Sequence, residues 1–431
     1  MEHIRQQGHT FVAAVAEYGE PAALIGELAV ATGKTNDEVQ AQFVAAGARL
    51  QSALRLAENP IEVNGLLVRV RNVAGLVRVS PEVHLEVAPK FLSIANPSWR
   101  EDFFLAATLS KYGRLLPSER LGVTAGARAN LSTLVGKAIV EMFASNARRP
   151  LRTYRRNAVQ EFALDGDVDA ESLWFPSDEG YDQHVIVFDN KNKFNSVVFS
   201  AVDALIPDVA DPGVRNQLAR IRDRLAPQRR VPHAKHVRLP GRAMHWQPLF
   251  DLSVDVLNGF SAKYEAGALF APGYAFETWR VWQDLVTLSL RLGTQGTVVS
   301  AQASSTLGVR DRKGKKSPFN VIPDVVVRWD ALTAIVDAKY KGRADTDSGI
   351  VEADLYEALA FAKATASRQV VLVYPDPRPN TALGLVDLFE TVVVGGVTVH
   401  GITIATTGLA TINGLQTFAD GLGEAAKRLA S

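Results

Sequence analysis

The sequence predicts a multidomain protein of the α/β (α+β) class: a helical and then β-rich N-terminal region, a mainly helical middle region, and a C-terminal domain that alternates helices with strands. Three observations lead there. At 431 residues the chain exceeds what one hydrophobic core usually serves. Its apolar spacing changes from a helical period to strict alternation near residue 60 and back to a helical period beyond residue 110. From residue 271 it reads as helix, strand, strand, helix, strand and a C-terminal helix.

Taken in order, residues 1–58 form a helical lead-in: they are rich in Ala, Glu, Gln and Leu, and Pro21 and "TGKTND" break them into two or three helices. Residues 59–110 form a β-rich domain, since "IEVNGLLVRVRNVAGLVRVSPEVHLEVAPKFL" alternates apolar and polar residues between Asn-Gly, Ala-Gly and Ser-Pro turn signals. Residues 111–250 carry helical spacing in "LSTLVGKAIVEMFASNA" and "FNSVVFSAVDALI", separated by irregular polar stretches. Residues 251–431 hold the alternating C-terminal domain, within which "TVVVGGVTVHGITIA" reads as two strands rather than a membrane span.

Composition narrows the function classes. The 47 basic and 46 acidic side chains cancel, so any attraction for nucleic acid must come from local clusters. The absence of cysteine excludes disulfides and thiolate metal sites. The N-terminus has neither the basic nor the apolar region of a signal peptide, and a cytoplasmic protein is expected.

The chemistry concentrates in "NVIPDVVVRWDALTAIVDAKYK", residues 320–341, where two aspartates and a lysine interrupt apolar β-branched runs. Read as a hairpin turning at Asp330 and Ala331, the segment places Asp324 opposite Asp337. Like charges at facing positions destabilise a sheet unless something offsets them, and a divalent cation would. Asp337 and Lys339 are two apart and share a face, so two carboxylates and an ammonium converge. That donor set suits Mg²⁺ and phosphodiester hydrolysis. Asp-x-Lys also occurs at Asp189 and Asp311, but Asp311 sits in a polar basic loop and Asp189 has no opposing Pro-Asp strand.

Around the hairpin, Tyr274, Thr278, Val281, Leu285, Leu288 and Leu292 form an apolar stripe on the preceding helix, bordered by Glu277. Glu277 is either a third acid of the site or a first-turn acid complementing the helix dipole. The following helix, "EADLYEALAFAKA", covers the site with Tyr356 and Glu357.

This order of helix, Pro-Asp hairpin, Asp-x-Lys and covering helix resembles the PD-(D/E)xK restriction-endonuclease-like core, and its details resemble the McrC family, the nuclease subunits of McrBC-type modified-cytosine (type IV) restriction systems. "VAGLVRVSPEVHLEVAPKF" resembles that family's N-terminal β segment, "FALDGDVD" and "FNSVVFSAVDAL" its middle region, and "IVDAKYK", "DLYEALAFA" and "VVLVYP" its nuclease end. The likeness spans about residues 60 to 375, while the first 58 residues match nothing in the family pattern. The covering helix departs from it, with Glu357 and Phe361 where Gln and Tyr are common. The resemblance implies that Asp324 and Asp337 are metal ligands for Mg²⁺, Lys339 the catalytic lysine, and Glu277 the helix acid. It also implies a partner, a McrB-like hexameric AAA+ GTPase that recognises and translocates double-stranded DNA and whose hydrolysis this subunit stimulates. The chain itself has no P-loop: "LAVATGKT" carries Leu28 where the first glycine belongs, so Gly33, Lys34 and Thr35 read as an interhelical turn.

Three basic clusters accompany the motif: Arg148, Arg149, Arg152, Arg155 and Arg156; residues 220–242; and Arg310, Arg312, Lys313, Lys315 and Lys316. The last lies just before the hairpin and suits DNA phosphate contacts, the alternative being a solvated loop. His233 and His236 have metal-like spacing, but no acid nearby in sequence completes a site. The competing functions are a non-catalytic assembly or GTPase-activating subunit and a self-sufficient repair nuclease.

Overall fold

The computed structural model describes residues 4–7, 10–112, 131–225, 229–260, 275–294, 298–329, 332–340 and 349–431. Their contacts divide the chain into two units, Met1–Leu134 with Leu269–Ser431, and Val135–Ala268.

The first unit opens with strands where the sequence predicts helix. β1 (Ile4–Gln7) and β2 (Thr10–Ala16) form an antiparallel pair, and β2 runs parallel to β6 (Val83–Ala88), Phe11 facing Val83 and Ala16 facing Ala88. The alanines of "TFVAAVA" favour helix locally, but burying Val12, Ala13 and Val15 in a sheet prevails over that weak preference. Helices α1 (Leu24–Thr32) and α2 (Asn36–Leu54) follow as expected. Gly33, at φ 68°, closes the first, and Thr35 caps the second in a capping box with Glu38, so "TGKT" is an interhelical turn.

Strands β3 (Ile61–Asn64), β4 (Leu67–Val70), β5 (Val73–Arg78) and β6 lie where the alternation predicts strands, but only β3 and β4 alternate in burial, β5 and β6 being buried almost throughout, and one turn needs correction. Ala74-Gly75 is not a turn but lies inside β5, where Gly75 faces Val87 on one side and Ala275 on the other. The irregular backbone lies before it, at Asn72 with φ 62°. Helix α3 (Trp99–Tyr112) completes this segment.

In the second unit, α4 (Leu131–Asn146), α6 (Lys193–Leu205), α7 (Pro212–Leu225) and α8 (Gln247–Phe260) carry the expected helical spacing. The polar stretch between α4 and α6 is a three-stranded antiparallel sheet and not irregular chain: β7 (Thr153–Glu161), β8 (Asp167–Val168) and β9 (Tyr181–Asp189), with the short α5 (Ala170–Trp174) between the last two. Almost none of its residues is buried, so no apolar alternation marks it in the sequence.

The first unit resumes with β10 (Ala275–Glu277), which pairs with β5 and completes a five-stranded sheet in the order β1-β2-β6-β5-β10. Next come α9 (Thr278–Gly293), β11 (Val298–Ala301), β12 (Ser305–Arg312), β13 (Lys315–Val321), β14 (Val325–Trp329), β15 (Leu332–Ala338), α10 (Glu352–Thr365), β16 (Gln369–Asp376), β17 (Val386–Val394), β18 (Val397–Ala405) and α11 (Gly414–Ala430). Strands β11-β14-β15-β16-β18-β17 form one six-stranded sheet, parallel from β15 through β16 to β18 and antiparallel elsewhere.

Two expectations for this domain need correction. The basic residues before the site are not a loop but the two-stranded ribbon β12–β13. The stripe predicted on α9 holds only in its first half: Thr278, Val281 and Leu285 are buried, together with Trp282, Val286 and Leu290, whereas Leu288 is half-buried and Leu292 exposed. Both Leu285 and Leu288 fit a helical period, and only the position of the sheet decides between neighbouring stripes. Tyr274 and the turn residues Asp330 and Ala331 lie outside the described residues.

Candidate active site

The hairpin β14–β15 has the register expected from sequence: Val325 faces Val336 and Trp329 faces Leu332. Asp324 and Asp337 are the next facing positions. β15 is a central strand and Ala334, Ile335 and Val336 are wholly buried, each large aliphatic side chain contributing about 1.5–3 kcal/mol. That apolar strand carries Asp337, only 4 % exposed, into the interior.

Each group around Asp337 is set by a different element. Lys339 lies one residue past β15 and its amide donates to the Val373 carbonyl of β16, which continues the parallel ladder and fixes its direction. Its Nζ stands 2.6 Å from Asp337 Oδ2, 2.6 Å from Glu357 Oε2 and 3.8 Å from Asp354 Oδ1, the last two on α10. Tyr374 of β16 donates to Asp354 Oδ2 at 3.1 Å. Asp324 is held at both oxygens: the Ala338 amide donates to Oδ2 at 2.9 Å, and Gln283 Nε2 of α9 donates to Oδ1.

The electrostatics follow from burial. Enclosure, and then the charge of Asp337, raise the Asp324 carboxyl above the ordinary range. Enclosure raises Asp337 as well, although Lys339 opposes it. Burial alone would lower Lys339, but Asp337 and Glu357 outweigh it, so the ammonium is raised and stays charged. Asp337 Oδ2 is buried and meets the Lys339 ammonium at 2.6 Å as an ion pair. Two enclosed carboxyl groups side by side, both raised by burial and Asp324 further by the charge of Asp337, are a donor set that a hard divalent cation fits.

Glu277 is not gathered with them. It ends β10 opposite Val73 and precedes the first turn of α9 without a side-chain capping bond. Among the described residues, no group of three or more acidic or histidine side chains is placed to hold a metal ion. The residue of α9 that reaches Asp324 is Gln283, six positions further on. On α10, Glu357 approaches the site as expected while Tyr356 points to solvent, 64 % exposed. Phe361 packs in the core with Ile335 and Tyr374.

Sequence reasoning missed Gln283, Asp354 and Tyr374. Nothing local distinguishes Gln283 from the adjacent Asp284, Asp354 reads as a first-turn acid, and Tyr374 reads as one more apolar strand residue. Further out, Arg310, Arg312, Lys313, Lys315 and Lys316 all lie exposed on the β12–β13 ribbon. In the second unit, Arg155 pairs with Asp189 at 3.2 Å and Arg156 with Asp167 at 3.3 Å. His236 has acids after all: Asp251 and Asp255, one turn apart on α8, lie 3.1 and 2.9 Å from its two ring nitrogens. They lie 15 and 19 positions from it in sequence, which hid the arrangement.

A family model described as McrBC 5-methylcytosine restriction system component matches residues 68–375. No curated protein matches. Among solved structures, a chain in the refined half-complex from a tetradecameric assembly of Thermococcus gammatolerans McrB AAA+ hexamers with bound McrC is similar over 96 % of this chain and 100 % of its own, at 13 % identity and a TM-score of 0.70. A chain of the Thermococcus gammatolerans McrBC complex is similar over 65 % of this chain and 87 % of its own, at 12 % identity and a TM-score of 0.48. The first likeness is one of fold.

Proposed function

This chain belongs to the McrBC family of restriction system components, and from that premise we propose that it is a McrC-like endonuclease subunit of a modification-dependent restriction system, cleaving DNA phosphodiester bonds with Mg²⁺ in a PD-(D/E)xK-type domain. The observation that carries the reading is the meeting of Asp324, Asp337 and Lys339 at the end of one hairpin, with Nζ 2.6 Å from Asp337.

Asp324 and Asp337 would hold the cation. When bound, Mg²⁺ supplies polarisation of the phosphate and an acidified water. The chain's own groups do the rest. The Ala338 amide and Gln283 fix the Asp324 carboxylate so that it need not reorganise when charge develops. Lys339 presents a permanent positive charge on the face of Asp337, where it can stabilise a phosphorane-like transition state and orient the attacking water. Glu357 holds the ammonium from the solvent side. Glu277 has no part in this constellation.

For the partner, the supporting facts are the family and a likeness of fold to a chain from an assembly of McrB AAA+ hexamers with bound McrC. On this reading the chain works with a McrB-like GTPase hexamer on double-stranded DNA and stimulates GTP hydrolysis. Among the described residues no helix is long and apolar enough to cross a membrane.

The test is paired: DNA cleavage and GTP turnover, measured with and without a McrB-like GTPase. Cleavage is expected only when the chain, the GTPase, GTP and Mg²⁺ are combined, and Asp337→Ala or Lys339→Ala should abolish it while leaving the folded state and GTPase stimulation intact. Cutting at the parental rate by either variant sinks the site. Robust cutting by the isolated chain, indifferent to any GTPase, favours a self-sufficient nuclease, and stimulation without cutting favours an assembly subunit.

A further inference from the structure

The ribbon β12–β13 is covered by α10 only at its base: every residue from Val309 to Asn320 is exposed. A two-stranded ribbon by itself is marginal in water, so this one depends on its anchored base. Its register sorts its side chains. Gly308 faces Phe319, Arg310 faces Ser317, and Arg312 faces Lys315, so these pairs share one face. Val309 faces Pro318 and Asp311 faces Lys316 on the other. The first face therefore carries three cations and no acid, and the second carries one of each.

Three further observations bear on that first face. The Arg310 guanidinium lies 4.6 Å from the centroid of the Phe319 ring, which supports it above the strand. Among the described residues Arg310, Arg312 and Lys315 make no ion pair, whereas Arg155, Arg156, Arg222 and Arg230 in the second unit are each paired with an aspartate. The turn, Lys313 at φ 51° and Gly314 at φ 80°, has both central residues left-handed, a geometry that continues the strand twist and so keeps the two faces distinct to the tip. The ribbon is also anchored at the site: β13 ends at Val321, three residues before Asp324, and α10, which brings Asp354 and Glu357 to Lys339, packs against both of its strands.

We propose that the ribbon is a one-sided DNA track, in which Arg310, Arg312 and Lys315 bind backbone phosphates of the duplex next to the scissile bond and Lys316, on the opposite face, does not. This deepens the nuclease reading and rests on it for the identity of the polyanion. The charge pattern fits a double-stranded phosphate backbone, a regular line of negative charge met by a line of unpaired cations.

The experiment measures binding of the full chain to a fluorescent, unmodified DNA duplex over a range of KCl with EDTA present, so that cleavage plays no part. The triple variant Arg310→Gln, Arg312→Gln, Lys315→Gln is expected to flatten the log-log salt slope by about 2.7, at roughly 0.9 for each lost phosphate contact. Lys316→Gln should leave the slope at the parental value, and Arg310→Lys with Arg312→Lys should restore it, which separates charge from folding. A parental slope in the triple variant overturns the proposal, as does an equal share from Lys316, no binding by the parental chain, or tighter binding to an RNA duplex. A triple variant with an unchanged slope in a chain that still cuts DNA sinks the ribbon and spares the site. A flattened slope in a chain that never cuts does the reverse.

Discussion

Tyr340, the residue after the site lysine, donates its phenolic hydrogen to Glu17, 323 positions earlier at the end of β2. Glu17 is 2 % exposed and also accepts from Thr278 Oγ1 at 2.6 Å and from the Lys90 amide at 3.1 Å. Strand β2, the Pro89-Lys90-Phe91 segment, the start of α9 and the end of "DAKY" thus meet on one carboxyl group. Phe91 packs between Tyr340, edge to face, and Trp282, tilted, with ring centroids 6.1 and 5.8 Å away.

Removing one donor from this group should be costly. Tyr340→Phe leaves a buried carboxyl short of a partner, and a loss of about 1–3 kcal/mol in unfolding free energy is expected. Urea unfolding of the parental chain and the variant would check it, and a change below about 0.5 kcal/mol would show that the contact is not held in solution.

The same group gives a pH signature. Burial raises Glu17 to about 7, against the pull of Thr278, Tyr340 and Lys90. Because the folded state then holds this proton more tightly than the unfolded state, its contribution is fully present below about pH 4.5 and fades as pH rises through about 7. Glu17→Gln should lack that decline, so the parental chain should lose stability relative to the variant between those pH values, by on the order of 3 kcal/mol. A parallel pair of stability-pH curves would refute it.

Gln283 should matter to metal use rather than folding. Its amide orients Asp324, and losing such an outer partner typically lowers metal affinity or activity about 10–100-fold. With Gln283→Ala, the Mg²⁺ concentration for half-maximal cleavage should rise while the thermal midpoint changes little. An unchanged Mg²⁺ requirement would remove Gln283 from the site.

Helix contact behind the site makes a separate prediction. A Cβ on Gly293 would lie 2.0 Å from the Ala419 carbonyl oxygen of α11, and backbone cannot yield that much. Gly293→Ala should push α9 and α11 apart and lower stability by about 1–3 kcal/mol, read as a fall in thermal midpoint. An unaltered midpoint would mean that the helices are not this close.

Glu357 should be dispensable for folding. Its side chain is 51 % exposed, and a half-exposed ion pair is worth about 0–1 kcal/mol. Glu357→Gln is expected to keep the parental unfolding midpoint, and a large drop would show the pair to be far more enclosed.

What the sequence alone determined lies close together along the chain. The pairing of Val325 with Val336, the shared face of Asp337 and Lys339, and the turn at Gly33 follow from a two-residue strand period and from capping chemistry, which act within a few residues. Where two local signals conflicted, tertiary structure decided. Alanine-rich "TFVAAVA" became a strand because β6 lay ready to pair with it, and Gly75 became a strand centre because β10 and β6 flank it. The groups that finish the site, Gln283 on α9, Asp354 on α10 and Glu17 beyond β2, carry no local mark, since a buried polar side chain is defined by the partner that satisfies it, and those partners stand 41, 20 and 261 to 323 residues away.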